Sequence, residues 1–436
     1  MSAALCHANI AYWLRPAPVE RILVEREVKM RPGRSTMRPK RSVGFGLILG
    51  MAAVALLGAP TAQARNTFTV CPTGPPECQY ATIQEALSAA SNGDRILIAP
   101  GTYSGGFTID KSVRLIGSGA SRTTISGGDP VAVTIAAGHA VAIRGLAITG
   151  ATGTGVFNHG TLKVRASTVS GNDGSDVGGV LNDGMLTLSG TSVSRNSGIG
   201  TGGISNYGTA TLDACTLSLN SGHFIADGIL NHGDLVVRNS TISGNGLSHG
   251  AGGLNNEAGA QAVVTDTTIS GNRGDHGGGI RNAGTLTIST SPITGNVSHG
   301  INNLPGGSLT LRESIVSGNI ASFGGGGVEN GGLLTLRESA VSDNTAGPFG
   351  DGGGILNYGN GNILVVFSTV TDNTAPRGGG IANQGGSVTL TDSTVTRNTA
   401  LGFNGVFGGG IFNSLGMVLL RDSTVFGNVP DDCVGC

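Results

Sequence analysis

The sequence predicts an all-β chain wound as a parallel β-helix, a solenoid of about 11 or more coils with a short N-terminal capping helix. Three observations predict it. Glycine supplies 77 of 436 residues, while proline supplies only 15 and no Gly-X-Y period runs through them, which excludes collagen. Hydrophobic residues still make up 38%, enough for a core, whereas aromatics at 4% and charges at 12% are scarce, a balance that favours stacked tight turns over helices. A unit of about 25 residues recurs eleven times in frame, and none of the units holds a stretch long enough for a helix, which excludes leucine-rich and ankyrin-type repeats.

The first elements read as an address. Residues 1–36 make no sense as part of a signal; a start codon read too early, with Met37 the true start, accounts for them. Residues 37–64 carry a basic stretch (Met37-Arg38-Pro39-Lys40-Arg41), an apolar run from Val43 to Ala59 and a small-x-small site at Ala62-Gln63-Ala64. That order is the order of a secretory signal peptide, so the mature chain is expected to start at Arg65 and to be extracellular or on the cell surface. The apolar run is short and broken by Gly44, Gly46, Gly50 and Gly58, and no second one follows, so no membrane span is expected in the mature chain. From Arg65 onward there are 17 Lys+Arg against 24 Asp+Glu, a mildly acidic body that argues against nucleic acid as a partner. In an exported chain Cys71 and Cys78 are expected to close a small disulfide loop, and Cys433 and Cys436 a second one at the other end.

Residues 65–154 form the cap and first coils. Ala81 to Ala90 is an amphipathic helix with Ile83, Ala86, Leu87 and Ala90 on one face, opened by a Thr82/Glu85 capping box and stopped by Ser91-Asn92-Gly93. A solenoid needs its open end covered, and this helix is the natural lid. A strand and turn follow over Arg95–Tyr103, then strands at Val113–Gly117 and Thr123–Gly127.

Residues 155–428 are the repeats, followed by a tail over 429–436 that carries the C-x-x-C. Each unit reads G-G-[IV]-x-N, a turn, an alternating strand, then S-T-V-S-G-N, as in Gly203-Ile204-Ser205-Asn206 and Gly279-Ile280-Arg281-Asn282. The closing asparagines are Asn172, Asn196, Asn220, Asn245, Asn272, Asn296, Asn319, Asn344, Asn373, Asn398 and Asn428, spaced by 23 to 30 residues. Leu186 and Leu188 alternate as one half-buried strand, Val193 marks a second and Val180 a third. Three short strands per unit make one coil. The asparagines are expected to take the left-handed turn positions and to bond the coils above and below. Asn158, Asn182, Asn206 and Asn231 stand 14 residues ahead of their closing partners and start a second column. Cys215 falls where neighbouring units have Ser167, Thr191 and Ser240, so it reads as a small stacking residue, unpaired and inert.

The stretches Ala81-Thr82-Ile83-Gln84-Glu85-Ala86, Ile96-Leu97-Ile98-Ala99-Pro100-Gly101-Thr102-Tyr103 and Leu115-Ile116-Gly117-Ser118-Gly119 resemble the pectin-lyase-like superfamily of right-handed parallel β-helices. The G-G-G-I and x-x-x-N units resemble the repeats of polymorphic outer membrane proteins. The resemblance covers about residues 68–428 and implies the fold. Its members include polysaccharide lyases, hydrolases and esterases, epimerases, tailspikes and adhesins, so it leaves the activity open. The enzyme signatures of the superfamily do not carry over. Asn158-His159-Gly160 and Asn231-His232-Gly233 lack the N-T-D and R-I-K of polygalacturonases, and no D-F-I-F-G or G-R-P-W of pectin esterases is present. The clustered Asp of a pectate lyase's calcium site is missing too: Asp173 and Asp176 pair up, while Asp227, Asp275 and Asp351 stand alone in loops.

One constellation stands out. His223, His249, His276 and His299 follow their closing asparagines by 3, 4, 4 and 3 residues, with Asp227 and Asp275 in the same loops. On a β-helix that spacing places them along one edge, where histidines can bind a divalent cation or line a glycan groove. Beyond that cation no cofactor is expected. Arg312-Glu313 and Arg337-Glu338 read as solvated cross-coil charge pairs of little energy. The threonines Thr187, Thr211, Thr287, Thr310, Thr335 and Thr389 form an outward file, but the charges of Asp213, Arg312 and Arg337 break it as an ice-binding surface. The expectation is a structural or adhesive rod that meets polysaccharide or another cell-surface ligand, with a polysaccharide lyase or hydrolase of unrecognised site as the alternative; the missing signatures lean against an enzyme.

Overall fold

The computed structural model describes residues 65–246, 250–402 and 407–436. The expected N-terminal extension, the expected signal segment and His249 therefore lie outside the described residues. Three parallel sheets run the length of the solenoid. The first has 15 strands, from Thr67–Val70 to Met417–Arg421; the second has 14, from Gly101–Ser104 to Thr424–Phe426; the third has 14, from Phe107–Ile109 to Cys433–Val434. The chain visits them in that order once per coil, and each strand pairs in parallel with the same strand of the next coil. About 14 coils at the usual strand spacing make a rod of roughly 65 Å.

Period-2 alternation decides which side chains fill the interior. In the first sheet Leu162, Leu186, Ala210 and Leu235 stack in register, as do Val164, Leu188, Leu212 and Val237. Val169, Val193, Leu217 and Ile242 stack in the second sheet, and Val156, Val180, Ile204 and Ile229 in the third. All are buried in one continuous apolar core. The helix α1 (Ile83–Ala89) closes the first end with Ile83, Ala86 and Leu87 in that core. Thr82 caps it, accepting from the Glu85 amide at 3.2 Å, while the Glu85 carboxylate accepts from the Thr82 amide at 3.1 Å. Sequence reasoning missed the strand Thr67–Val70, which adds a strand to the first sheet ahead of the helix. No helix among the described residues is long and apolar enough to cross a membrane.

Every closing asparagine is buried, and the column is a saturated hydrogen-bond ladder. The Asn272 amide donates to Asn296 Oδ1 at 3.1 Å and to the Ile242 carbonyl at 3.0 Å, while its oxygen accepts from the Asn245 backbone and side-chain amides, each at 3.0 Å. All four valences of the carboxamide are filled. The left-handed backbone is not on the asparagine itself, as the sequence suggested, but on the residue before it: Gly171 (φ 62°), Arg195 (54°), Leu219 (57°) and their equivalents. A second left-handed residue, such as Ala166 (45°) or Ala214 (53°), turns each first strand into the second. Inside the ladder the asparagine has its hydrogen bonds to satisfy; the turn falls to its neighbour. The second asparagine column runs from Asn158 to Asn413, each amide donating to the next oxygen at 2.6–2.9 Å. The offset of 14 recurs at Asn282 and Asn330 but widens to 15 or 16 at Asn256, Asn303, Asn357, Asn383 and Asn413, where turns such as Glu257–Ala260 are longer, so a fixed offset does not trace the whole column.

The paired glycines of the repeat serve this ladder. A Cβ on Gly203 would collide with the Gly228 carbonyl of the next coil and meet Asn220 Nδ2 at 3.3 Å. Cys215 sits buried and free in the stack of serines and threonines, its amide donating to Ser240 Oγ at 3.0 Å. Cys71 is bonded to Cys78, and Cys433 to Cys436. The charge-pair expectation for Arg312-Glu313 and Arg337-Glu338 fails: register stacks Arg312 on Arg337, and none of these four is among the described ion pairs. An identical repeat puts like on like. Cross-coil pairs form where the repeat changes, as in Arg238–Asp213 and Arg397–Asp372.

Candidate functional site: a groove on the third sheet

In the motif G-G-[IV]-x-N the isoleucine or valine points in, the asparagine joins the ladder, and x points out. Read down the coils, x spells the floor of a groove: Phe157, Leu181, Ser205, Leu230, Asn255, Arg281, Asn302, Glu329, Leu356, Ala382 and Phe412 are register partners in succession. Leu356, Ala382 and Phe412 form an apolar cluster separate from the core, as outward residues must. The residue after each asparagine lines one wall and includes His159, Asp183, Tyr207, His232, Glu257, Leu304, Tyr358 and Gln384. The loops that follow the closing asparagines line the other.

The groove changes character along its length. At one end His159 Nδ1 meets Asp183 Oδ2 at 2.7 Å beneath a ring contact with Phe157, and Tyr207 stacks on His232 at 4.6 Å and 10°. At the other end the floor is roofed. Arg377 grips Asp351 through two hydrogen bonds of 3.0 and 2.6 Å and lies over the Phe412 ring, while Gln384 donates to the same carboxylate.

Between them a cavity of about 310 Å³ opens, with Asn255, Arg281 and Asn302 on its floor. Glu257 and Leu304 stand on one side, and Phe224, Ile225 and His276 on the other. Arg281 Nη1 donates to Asn255 Oδ1 and Glu257 Oε1, both at 3.1 Å, and Asn255 Nδ2 donates to the same Glu257 oxygen at 2.8 Å. Asn302 is 8% exposed, and its Oδ1 is buried with no hydrogen-bond partner in the protein. One coil further, His299 Nε2 lies 3.0 Å from Glu329 Oε2, an ion-pair distance that is off-line for a hydrogen bond. Burial pushes the Tyr358 hydroxyl above the ordinary tyrosine range, and the nearby Glu329 carboxylate adds to the shift.

The histidines predicted as one column are not gathered in one register. Counted back from the third-sheet strand that follows, His223 stands six residues before Ile229, His276 four before Ile280 and His299 two before Ile301. His223 and His276 are exposed, while His299 is buried against Glu329. The count from the asparagine misled because the loop lengths differ on the far side. Asp227 is buried and its Oδ1 accepts from the Gly222 amide at 2.8 Å, while Asp275 is exposed. Among the described residues no three His, Cys, Asp or Glu side chains come together as a cation site would require. A larger cavity of about 830 Å³ lies beside the cap, lined by Ile83, Tyr103, Phe107, Asp110 and Lys111. Its lysine is already bound to the helix carbonyls of Leu87 and Ser88, and none of the buried polar atoms without a partner lines it.

A comparison with curated proteins finds no significant match. Among solved structures, a pectate lyase aligns over 76% of this chain and 78% of its own at 15% identity, with a TM-score of 0.42. The A-module of a mannuronan C-5 epimerase from Azotobacter vinelandii aligns over 81% and 93% at 15% identity, with a TM-score of 0.38. An alginate lyase from a Paenibacillus species aligns over 82% and 99% at 12% identity, with a TM-score of 0.29. None of these likenesses bears on what the groove binds. The family model described as right handed beta helix region matches residues 276–433. The chain is a right-handed parallel β-helix.

Proposed function

We propose that this is an exported β-helix that binds glycan along the outer face of its third sheet, as an adhesive or structural rod. The observation that carries the reading is the cavity at Asn255, Arg281 and Asn302, where a buried acceptor lacks a partner beside a half-buried polar network. Sugars offer closely spaced hydroxyls on apolar rings. A floor of amides, a guanidinium and carboxylates suits the hydroxyls, and the exposed Tyr207 and Phe224 suit the ring faces. Coils rise by about 4.8 Å, close to the length of one hexopyranose, so successive sugars meet successive coils. The test is affinity electrophoresis of residues 65–436 through gels that contain a panel of polysaccharides. The expected result is retardation by at least one of them, lost in Arg281→Met; no retardation by any would refute the reading.

The second reading, a depolymerase, draws on His299, Glu329 and Tyr358, three titratable groups on the same groove just beyond the cavity. Release of reducing ends or of an unsaturated product from a retained polysaccharide, abolished in Glu329→Gln, would establish it in place of the rod.

A further inference from the structure

We propose that the groove selects a neutral or N-acylated glycan and discriminates against polyuronates. This rests on the groove being the binding site. Asp183, Glu257, Glu329 and Asp351 face it, against two guanidiniums, Arg281, which already serves Glu257 and Asn255, and Arg377, which is held on Asp351. Arg281 and Glu257 are each 27% exposed, so solvent screens their charges only in part. In the cavity beside Arg281 the open valences are acceptors: Asn302 Oδ1 is buried without a partner, and Glu257 Oε2 makes no hydrogen bond to the protein among those described; donors without a hydrogen-bond partner, Ser205 Oγ and the His299 ring, lie outside that cavity's lining. An acceptor needs a donor. Hydroxyls and acetamido N–H groups supply donors, whereas a carboxylate on every sugar supplies only acceptors and a like charge. Charge is the stronger ground, because a uronate keeps its ring hydroxyls as donors and loses only the one at C6.

The test is titration calorimetry of residues 65–436 at neutral pH with five probes: cello-, xylo- and N-acetylated chito-oligosaccharides, oligogalacturonate and oligomannuronate. The expected result is that a neutral or N-acetylated probe binds at least about tenfold tighter than either uronate. The double variant Glu257→Gln/Glu329→Gln should narrow that gap by improving the uronates. Tighter binding of a uronate would overturn this inference and leave the groove reading standing. A gap unchanged in the double variant would overturn the electrostatic cause. Binding of none of the five, from protein shown to be β-rich, would overturn the groove reading, and this inference with it.

Discussion

Asn272 sits mid-ladder, and Asn272→Ala removes four hydrogen bonds at once. The Asn245 backbone amide loses its only described acceptor and is left buried. Asn245 Nδ2 keeps the Leu217 carbonyl, and Asn296 Oδ1 keeps the Asn272 backbone amide. An orphaned buried N–H costs about 1–3 kcal/mol and each of the three other lost bonds about 1 kcal/mol, so the substitution should cost about 4–6 kcal/mol. Because a solenoid couples mainly neighbouring coils, the loss should be local as well as global. Two measurements on residues 65–436 read it: urea denaturation for the total, and native-state hydrogen exchange at the Asn245 amide for the local share. That amide should exchange about a thousandfold faster, by the usual factor of ten per 1.4 kcal/mol. Asn413→Ala, at the partly exposed end of the second column, should cost only about 1 kcal/mol. A cost below about 1 kcal/mol at Asn272, or equal costs at the two sites, would refute the claim that filled valences hold the coils in register.

Gly203→Val should cost about 3 kcal/mol or prevent folding, because its Cβ meets the Gly228 carbonyl, whereas Gly190→Asn, at a left-handed position with open space around it, should cost less than about 1 kcal/mol; thermal melts of both compare them directly. Burial pushes the Cys215 thiol above its ordinary range, so a disulfide-exchange reagent at neutral pH should titrate no thiol in native residues 65–436 and one in denaturant. Hydrogen bonds from Arg397 hold the Asp372 carboxyl below the ordinary carboxylate range, so the pair's contribution is present at neutral pH and is lost as pH falls through that lowered value. Arg397 is 65% exposed and Asp372 35%, so solvent screens the pair, and Asp372→Asn should lower stability by less than about 1 kcal/mol at neutral pH and by nothing measurable in acid.

The fold was legible because a β-helix repeats its physics. One asparagine is ambiguous; eleven in frame mark a column, and the inward leucines and valines follow the same period. The capping box of Thr82 and Glu85 was legible because it is local. What sequence reasoning lost was whatever depended on register. The histidines were counted from one end of loops whose lengths differ, so His223, His276 and His299 stand six, four and two residues ahead of the next third-sheet strand. Arg312-Glu313 and Arg337-Glu338 were read as cross-coil charge pairs because they recur on adjacent coils, whereas the register sets Arg312 on Arg337, like on like. The groove escaped for the opposite reason. Its floor is the variable position of a fixed motif, where a search for sameness does not look. Reading Asn255, Arg281, Asn302 and Glu329 down that position was possible from the repeat alone.

The most direct test of the central claim uses an absence in the sequence. The only tryptophan, Trp13, precedes Arg65, so residues 65–436 carry none. Phe224→Trp places a reporter on the cavity wall, and Phe426→Trp places one on the last strand of the second sheet. Titration with a glycan that retards the protein in gels should change the emission of the first variant saturably and leave the second unchanged. Equal responses, or silence at Phe224→Trp while the same protein still binds the glycan, would place the binding site outside the groove.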